Sequence, residues 1–231
     1  MRRVMLKLSG EALAGELKTG FDYNFIDTVC KEIKTALAED VQIAIMTGGG
    51  NFIRGKMLTN IDKYKADEIG MLSTCMNCLY LQQVLKNNNI KSKVYGAFSI
   101  SDITELFSKD KVIDDLNNGY VTIFSGGTGH PYFTTDTGVV LRSIEIGCDE
   151  LLMGKSIDGV YDKDPAIYND AKKYDDITLD DMVDKKLQVI DLSASAMAYE
   201  NKLNLRIFSL YEKDSLIKAL RGENVGTFIH S

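Results

Sequence analysis

Hydrophobic positions along this 231-residue chain switch between two patterns: short, mostly apolar runs, and longer segments with apolar residues three or four apart. Residues 4–8, 41–46, 94–97, 120–124, 150–153 and 205–209 are of the first kind and read as buried strands, with a late one over 226–229. Residues 24–38 are of the second kind and place Phe25, Ile26, Val29, Ile33, Ala36 and Leu37 on one helical face. Residues 66–85 and 136–146 also read as helices. Apolar strands alternating with helices predict an α/β fold, a three-layer sandwich whose mostly parallel sheet is covered by helices on both faces. No repeat, low-complexity tract or proline-rich linker divides the chain. Its length suits one large domain or two small ones.

Six of the 19 glycines, Gly48, Gly49, Gly50, Gly126, Gly127 and Gly129, follow directly on two of these strands. In open α/β sheets, ligands bind at the carboxyl ends of the strands. Glycine lets backbone N–H groups approach a ligand, and a following helix favours an anion. One such turn is only a tight connection. Two, each with hydroxyl or cationic residues attached, point to phosphate.

Composition narrows the field. With 27 basic and 33 acidic residues the formal charge is −6, which argues against non-specific nucleic-acid binding. No apolar run approaches the roughly 18 residues of a membrane helix. The run after Arg2 and Arg3 is cut at Lys7, shorter than the about 7–15 apolar residues of a signal peptide. A cytoplasmic protein with no membrane or nucleic-acid partner is expected. Cys75 and Cys78 form a C-x-x-C pair, but within a helical pattern, where such spacing only shares a face. A zinc site needs two further ligands, and Cys30, Cys148, His130 and His230 are scattered. Reduced, mostly buried thiols are the expectation, and no metal held by protein ligands.

Four stretches carry candidate chemistry. Lys7-Leu8-Ser9-Gly10 puts a lysine and a small loop at a strand end, which suits a polyphosphate, although it is neither a Walker A loop nor a G-x-G-x-x-G fingerprint. Gly48 to Gly55 adds Arg54, whose planar guanidinium can hold a phosphate with two hydrogen bonds; the plain alternative is a surface arginine. Thr128 to Asp136 opens a helix with threonines and an aspartate, either capping it or binding an anion, and both can hold together. Ile157-Asp158-Gly159-Val160 reads as a hairpin turn.

Taken in order, these stretches closely resemble the bacterial uridylate kinases, a branch of the amino acid kinase family. The resemblance runs through KLSGEALAG (residues 7–15), GGGNFIRG (48–55), DEIGMLSTCMN (67–77), TGHPYFTTD (128–136), IDGVYDKDP (157–165) and IDLSASA (190–196), nearly the whole chain. Related carboxylate and carbamate kinases share the glycine turns but not the acceptor segment. The resemblance implies one amino acid kinase domain over residues 1–231, with the acceptor held by the N-terminal part and ATP by about residues 150–231. It implies transfer of a phosphoryl group from ATP to UMP in pyrimidine nucleotide biosynthesis, with Mg²⁺ carried on the ATP phosphates.

Residue by residue, the resemblance sets Lys7, Leu8, Ser9 and Gly10 against the ATP phosphates. Gly50 and Arg54 fall where donor and acceptor meet, and Lys155, Ser156, Tyr161 and Asp164 on the adenosine side. Gly49, Asp67 (on the ribose), Thr128, Gly129, His130, Pro131, Tyr132, Phe133, Thr134 and Thr135 would hold UMP. Lys7, Arg54, Asp136 and Asp191 would carry the catalytic charges. A homohexamer and GTP and UTP effectors are also implied. The chain departs from the family at His130, where Asn is usual, at residues 153–156 and 96–111, and in the loop over 15–21 on which the effector expectation bears. Three rivals stand beside this reading: a kinase of another small acid or monophosphate, a non-catalytic storage protein that binds nucleotide and oxyanions, and a redox or zinc module built on Cys75 and Cys78. Retention of Lys7, Arg54, Asp136 and Asp191 together argues against storage.

Overall fold

The computed structural model describes residues 1–53, 60–185, 187 and 189–230. In chain order the elements are β1 (Arg3–Leu8), α1 (Gly10–Ala14), α2 (Tyr23–Leu37), β2 (Gln42–Thr47), α3 (Lys63–Asn87), β3 (Ser92–Gly96), β4 (Glu105–Leu106) and α4 (Lys109–Asn117). They continue with β5 (Val121–Ser125), α5 (Thr135–Glu145), β6 (Glu150–Lys155), β7 (Val160–Tyr161), β8 (Lys173–Tyr174), β9 (Asp176–Thr178), α6 (Leu179–Asp184), α7 (Leu192–Glu200), β10 (Leu205–Ser209), α8 (Ser215–Arg221) and β11 (Thr227–His230). Nine strands make one sheet in the order β4-β3-β5-β2-β1-β6-β10-β11-β9. Every neighbouring pair is parallel except β10 with β11. This is the expected three-layer α/β sandwich.

Side-chain alternation along the strands builds two cores, one on each face. Val4, Leu6, Leu8, Ile43, Ile45 and Ile123 pack with α2, α3 and α8. Met5, Ala44, Met46, Phe124, Leu151 and Met153 pack with α4, α5, α6 and α7. The central strands are buried at nearly every position, so their sequences show mostly apolar runs.

Caps set the helix ends. Asp22 accepts from Phe25 N–H at 3.1 Å and starts α2. Asp62 accepts from Lys65 N–H at 2.8 Å and starts α3 three residues before the expected 66. One expectation fails: Asp158-Gly159 is not a hairpin turn. It links β6 to β7, and β7 pairs instead with β8 across the connection at 162–172. The reason is topological. Both edges of β6 are taken by β1 and β10, so no edge is left for a returning strand.

Candidate active site

The parallel register lines up the carboxyl ends of the strands. Leu8 pairs with Thr47 on one side and with Gly154 on the other, so the Ser9-Gly10 loop, the Gly48–Gly50 turn and Lys155 emerge at one edge. Alternation then sorts β1. Leu8 turns into the α2/α3 core and its carbonyl accepts from Gly48 N–H at 2.9 Å, so its side chain is unavailable to a ligand. Lys7 points to the opposite face, where its Nζ pairs with Asp136 in the first turn of α5; both side chains are largely buried. Ser9 caps α1 by accepting from Ala12 N–H at 3.1 Å, and Gly10 opens that helix.

Beside this pair lies a small cleft of about 170 Å³. Gly49, Gly50, Asp67, Thr128, His130, Phe133, Thr134 and Thr135 line it, all expected ligand-contacting residues. Gly129, Pro131 and Tyr132 are not among its walls. Gly129 packs on Ala97, and Tyr132 projects outward, 64% exposed. Tyr132 contributes its backbone instead: held at φ 72°, its N–H donates to Asp67 Oδ2 at 2.7 Å. Lys63 contacts the same carboxylate oxygen at 3.3 Å. Arg54 lies outside the described residues.

Asp191 joins two helix N-termini. It caps α7 by accepting from Ala194 N–H at 2.9 Å, and it accepts from the hydroxyls of Thr134, which caps α5, and Thr137. Burial works to raise the Asp191 carboxyl, but the bonds from Thr134, Ala194 and Thr137 prevail and hold it below the usual aspartate value. It is therefore an anion at neutral pH.

A second cleft, about 560 Å³ and open to solvent, is lined by Lys155, Ile157, Tyr161, Asp164, Pro165, Leu187 and Val189. Ser156 is exposed and is not among its walls. Tyr161 donates to Asp158 at 2.7 Å, a bond that with burial pushes its hydroxyl up to about 12. Lys155 Nζ donates to the Val189 carbonyl. Burial pushes the Lys155 ammonium down, Asp136 opposes this and Lys7 adds to it. Lys155 thus senses both members of the Lys7–Asp136 pair.

Cys75 and Cys78 are buried in α3. Burial pushes the Cys78 thiol up to about 12, so at neutral pH it is a protonated packing group and not a nucleophile. Among the described residues no three carboxylate, histidine or cysteine side chains converge as a metal cage. No helix among them is long and apolar enough to cross a membrane.

Sequence reasoning missed the walls that α3 supplies, Ala66, Gly70, Met71 and Thr74. It also missed that Ser73, Thr74 and Asn77 are buried polar residues. The signal was there: Ser73, Thr74 and Asn77 fall at helical spacing on the same face as Cys78 and Leu81.

A model of the amino acid kinase family matches residues 2–209. A protein of Xanthomonas oryzae named uridylate kinase is 42% identical over 230 residues, covering 99% of this chain and 96% of the relative. One of Porphyromonas gingivalis with the same name is 44% identical with the same coverage. The crystal structure of UMP kinase from Bacillus anthracis superposes with a TM-score of 0.95 at 34% identity, covering 99% of this chain and 96% of the other. That of Ureaplasma parvum UMP kinase does so at 0.94 and 30% identity, covering 100% and 99%. The chain belongs to the amino acid kinase family, on its uridylate kinase branch.

Proposed function

We propose that this enzyme transfers the γ-phosphoryl group of ATP to UMP, giving UDP and ADP in pyrimidine nucleotide biosynthesis. The observation that carries the reading is an ion pair set between the clefts: Lys7 lies on β1 between β2, which runs into the Gly48–Gly50 turn, and β6, which ends at Lys155, and it pairs with Asp136, which directly follows the Thr134 and Thr135 walls of the first cleft. A donor in one cleft and an acceptor in the other would meet over one set of charges.

In this reading UMP sits in the first cleft, its phosphate toward the N–H groups of Gly49 and Gly50 and the N-terminus of α5. Asp67 takes the ribose, exchanging its bond from Tyr132 N–H. Thr128, Gly129, His130, Pro131, Phe133, Thr134 and Thr135 form or support the loop around the nucleotide. ATP lies across the second cleft with adenosine beside Tyr161 and Asp164, and with its phosphates reaching Lys7, Ser9, Gly10 and Arg54. A phosphate oxygen of UMP attacks in line. The step needs alignment and neutralisation of spreading charge, not a covalent protein intermediate. Lys7, Lys155 and Arg54 supply positive charge. Asp136 holds Lys7 in place, and Asp191 fixes the α5 terminus.

The reaction uses a divalent cation, which we assign as Mg²⁺. It would be carried on the ATP phosphates, with Asp136 and Asp191 organising the lysine and those phosphates around it. When bound, the ion neutralises phosphate charge. We further propose one catalytic unit over residues 1–231, a cytoplasmic location that suits the buried free thiols of Cys30, Cys75 and Cys78, and a homohexamer regulated by GTP and UTP. The test is ADP release, by a coupled assay, with UMP, CMP, AMP, GMP and small carboxylates as acceptors. Preference for UMP is expected; activity confined to carboxylates overturns the reading.

A further inference from the structure

The Gly48–Gly50 turn has no side chains with which to hold itself, yet it must present its N–H groups at a fixed place. Besides the Gly48 N–H bond to the Leu8 carbonyl and the Ser73 hydroxyl on the Gly49 carbonyl at 3.3 Å, a pair of buried carboxamides holds it. Asn51, directly after the turn, is 2% exposed, and Asn77 on α3 is fully buried. Asn51 Nδ2 donates to Asn77 Oδ1 at 2.9 Å, and Asn77 Nδ2 donates to Asn51 Oδ1 at 2.8 Å. The remaining hydrogen of each amide is also used. Asn77 Nδ2 donates to the Gly48 carbonyl at 2.5 Å, and Asn51 Nδ2 to the Gly20 carbonyl at 2.9 Å. Thr19 Oγ1 donates to the Asn51 carbonyl at 2.9 Å. Gly10 closes the assembly: a Cβ there would lie 2.6 Å from Asn51 Oδ1 and 2.5 Å from Gly50 N.

We propose that Asn51 and Asn77 act as one positioning unit that sets the Gly48–Gly50 turn for phosphoryl transfer and ties the loop at Thr19-Gly20 to it. The inference rests on the kinase reading above. Neither amide lines the UMP cleft or the second cleft, so neither touches a substrate in that reading. Both act through backbone. Losing either amide leaves buried partners unsatisfied and frees the turn. A displacement of about 1 Å at a reacting centre costs on the order of 100-fold in rate. The walls from Asp67, Thr128 and Phe133 do not pass through this pair, so the nucleoside part of the UMP site keeps its place and most of the loss falls on the phosphoryl-transfer step.

The experiment compares wild type, Asn51→Ala, Asn77→Ala and the double variant, with kcat and KM for UMP and ATP expressed per folded molecule by circular dichroism. Each single variant is expected to lose roughly 30- to 100-fold in kcat with KM within about threefold, and the double to be no more than about threefold worse than the poorer single, as for residues acting as a unit. Single variants within threefold of wild type overturn the proposal, as do losses that multiply in the double. Should the core variants not fold, Thr19→Val decides: Thr19 is exposed, and its loss is expected to lower kcat about three- to tenfold at an unchanged thermal midpoint, while wild-type kcat overturns the proposal. An active wild type matched by its variants sinks this inference alone. A wild type that makes no UDP sinks the functional reading as well.

Discussion

Lys7 illustrates how much a single position can say. A lone lysine at a strand end is weak evidence in sequence, but the two-residue period of β1 turns it away from Leu6 and Leu8 and onto the α5 face, where Asp136 meets it. The pairing partner, 129 residues away in sequence, is invisible to local pattern. Asp67 is a similar case: its residue type was legible, its bond to Tyr132 N–H was not, because that bond depends on a positive φ at a non-glycine residue. Arg54, four residues after Gly50, is assigned to the phosphates at the meeting point. Arg54→Ala is expected to leave the fold intact and to weaken transition-state stabilisation by about 1.5–3 kcal/mol, the worth of a charge-assisted hydrogen bond. Steady-state kinetics check this, and near-wild-type kcat and KM for both substrates would refute it.

At the scale of elements, the central strands, α2 and α5 were legible because burial on both faces or on one stripe leaves a clear pattern, and α3 because 25 residues run on without a proline or a turn signal. α4 and α7 were not. α4 is nine residues long and buries only Val112, Asp115 and Leu116. α7 is built of small residues and buries only Ala194 and Ala198. Its start is fixed by Asp191, which also holds Thr134 and Thr137 of the α5 terminus. Asp191→Asn is expected to lower kcat more than it changes UMP KM, since the anion matters most as charge shifts in the transition state; a pure KM effect would count against it. The same carboxylate gives a pH signature. Its folded pKa is depressed, so its stabilisation is fully present above the unfolded value near about 3.9 and is lost as pH falls through the folded value. The stability gap between wild type and Asp191→Asn should therefore be constant at neutral pH and close under acid. Thermal midpoints across pH check this; a gap that widens on acidification contradicts it.

Across the whole molecule, the two ends of the sheet do different work. At the N-terminal end of β6, opposite the clefts, buried Glu150 pairs with Arg206 at 2.7 Å and with Arg2 at 2.5 Å. Removing one member of a buried ionic set strands the others, so Glu150→Ala is expected to cost about 3–5 kcal/mol of stability while kcat per folded molecule stays unchanged. Denaturant titration beside kinetics checks both halves, and a large loss of kcat would show that the two ends are coupled. α3 exposes Leu72 and Met76, 51% and 46% accessible, on the side away from the cores, which suits burial between copies. Light scattering is expected to give a hexamer; a monomer at micromolar concentration would refute the assembly. The most direct test of the central claim is product analysis after incubating the protein with ATP, UMP and Mg²⁺. The account predicts UDP and ADP appearing in equal amounts, and ATP loss without UDP would contradict it.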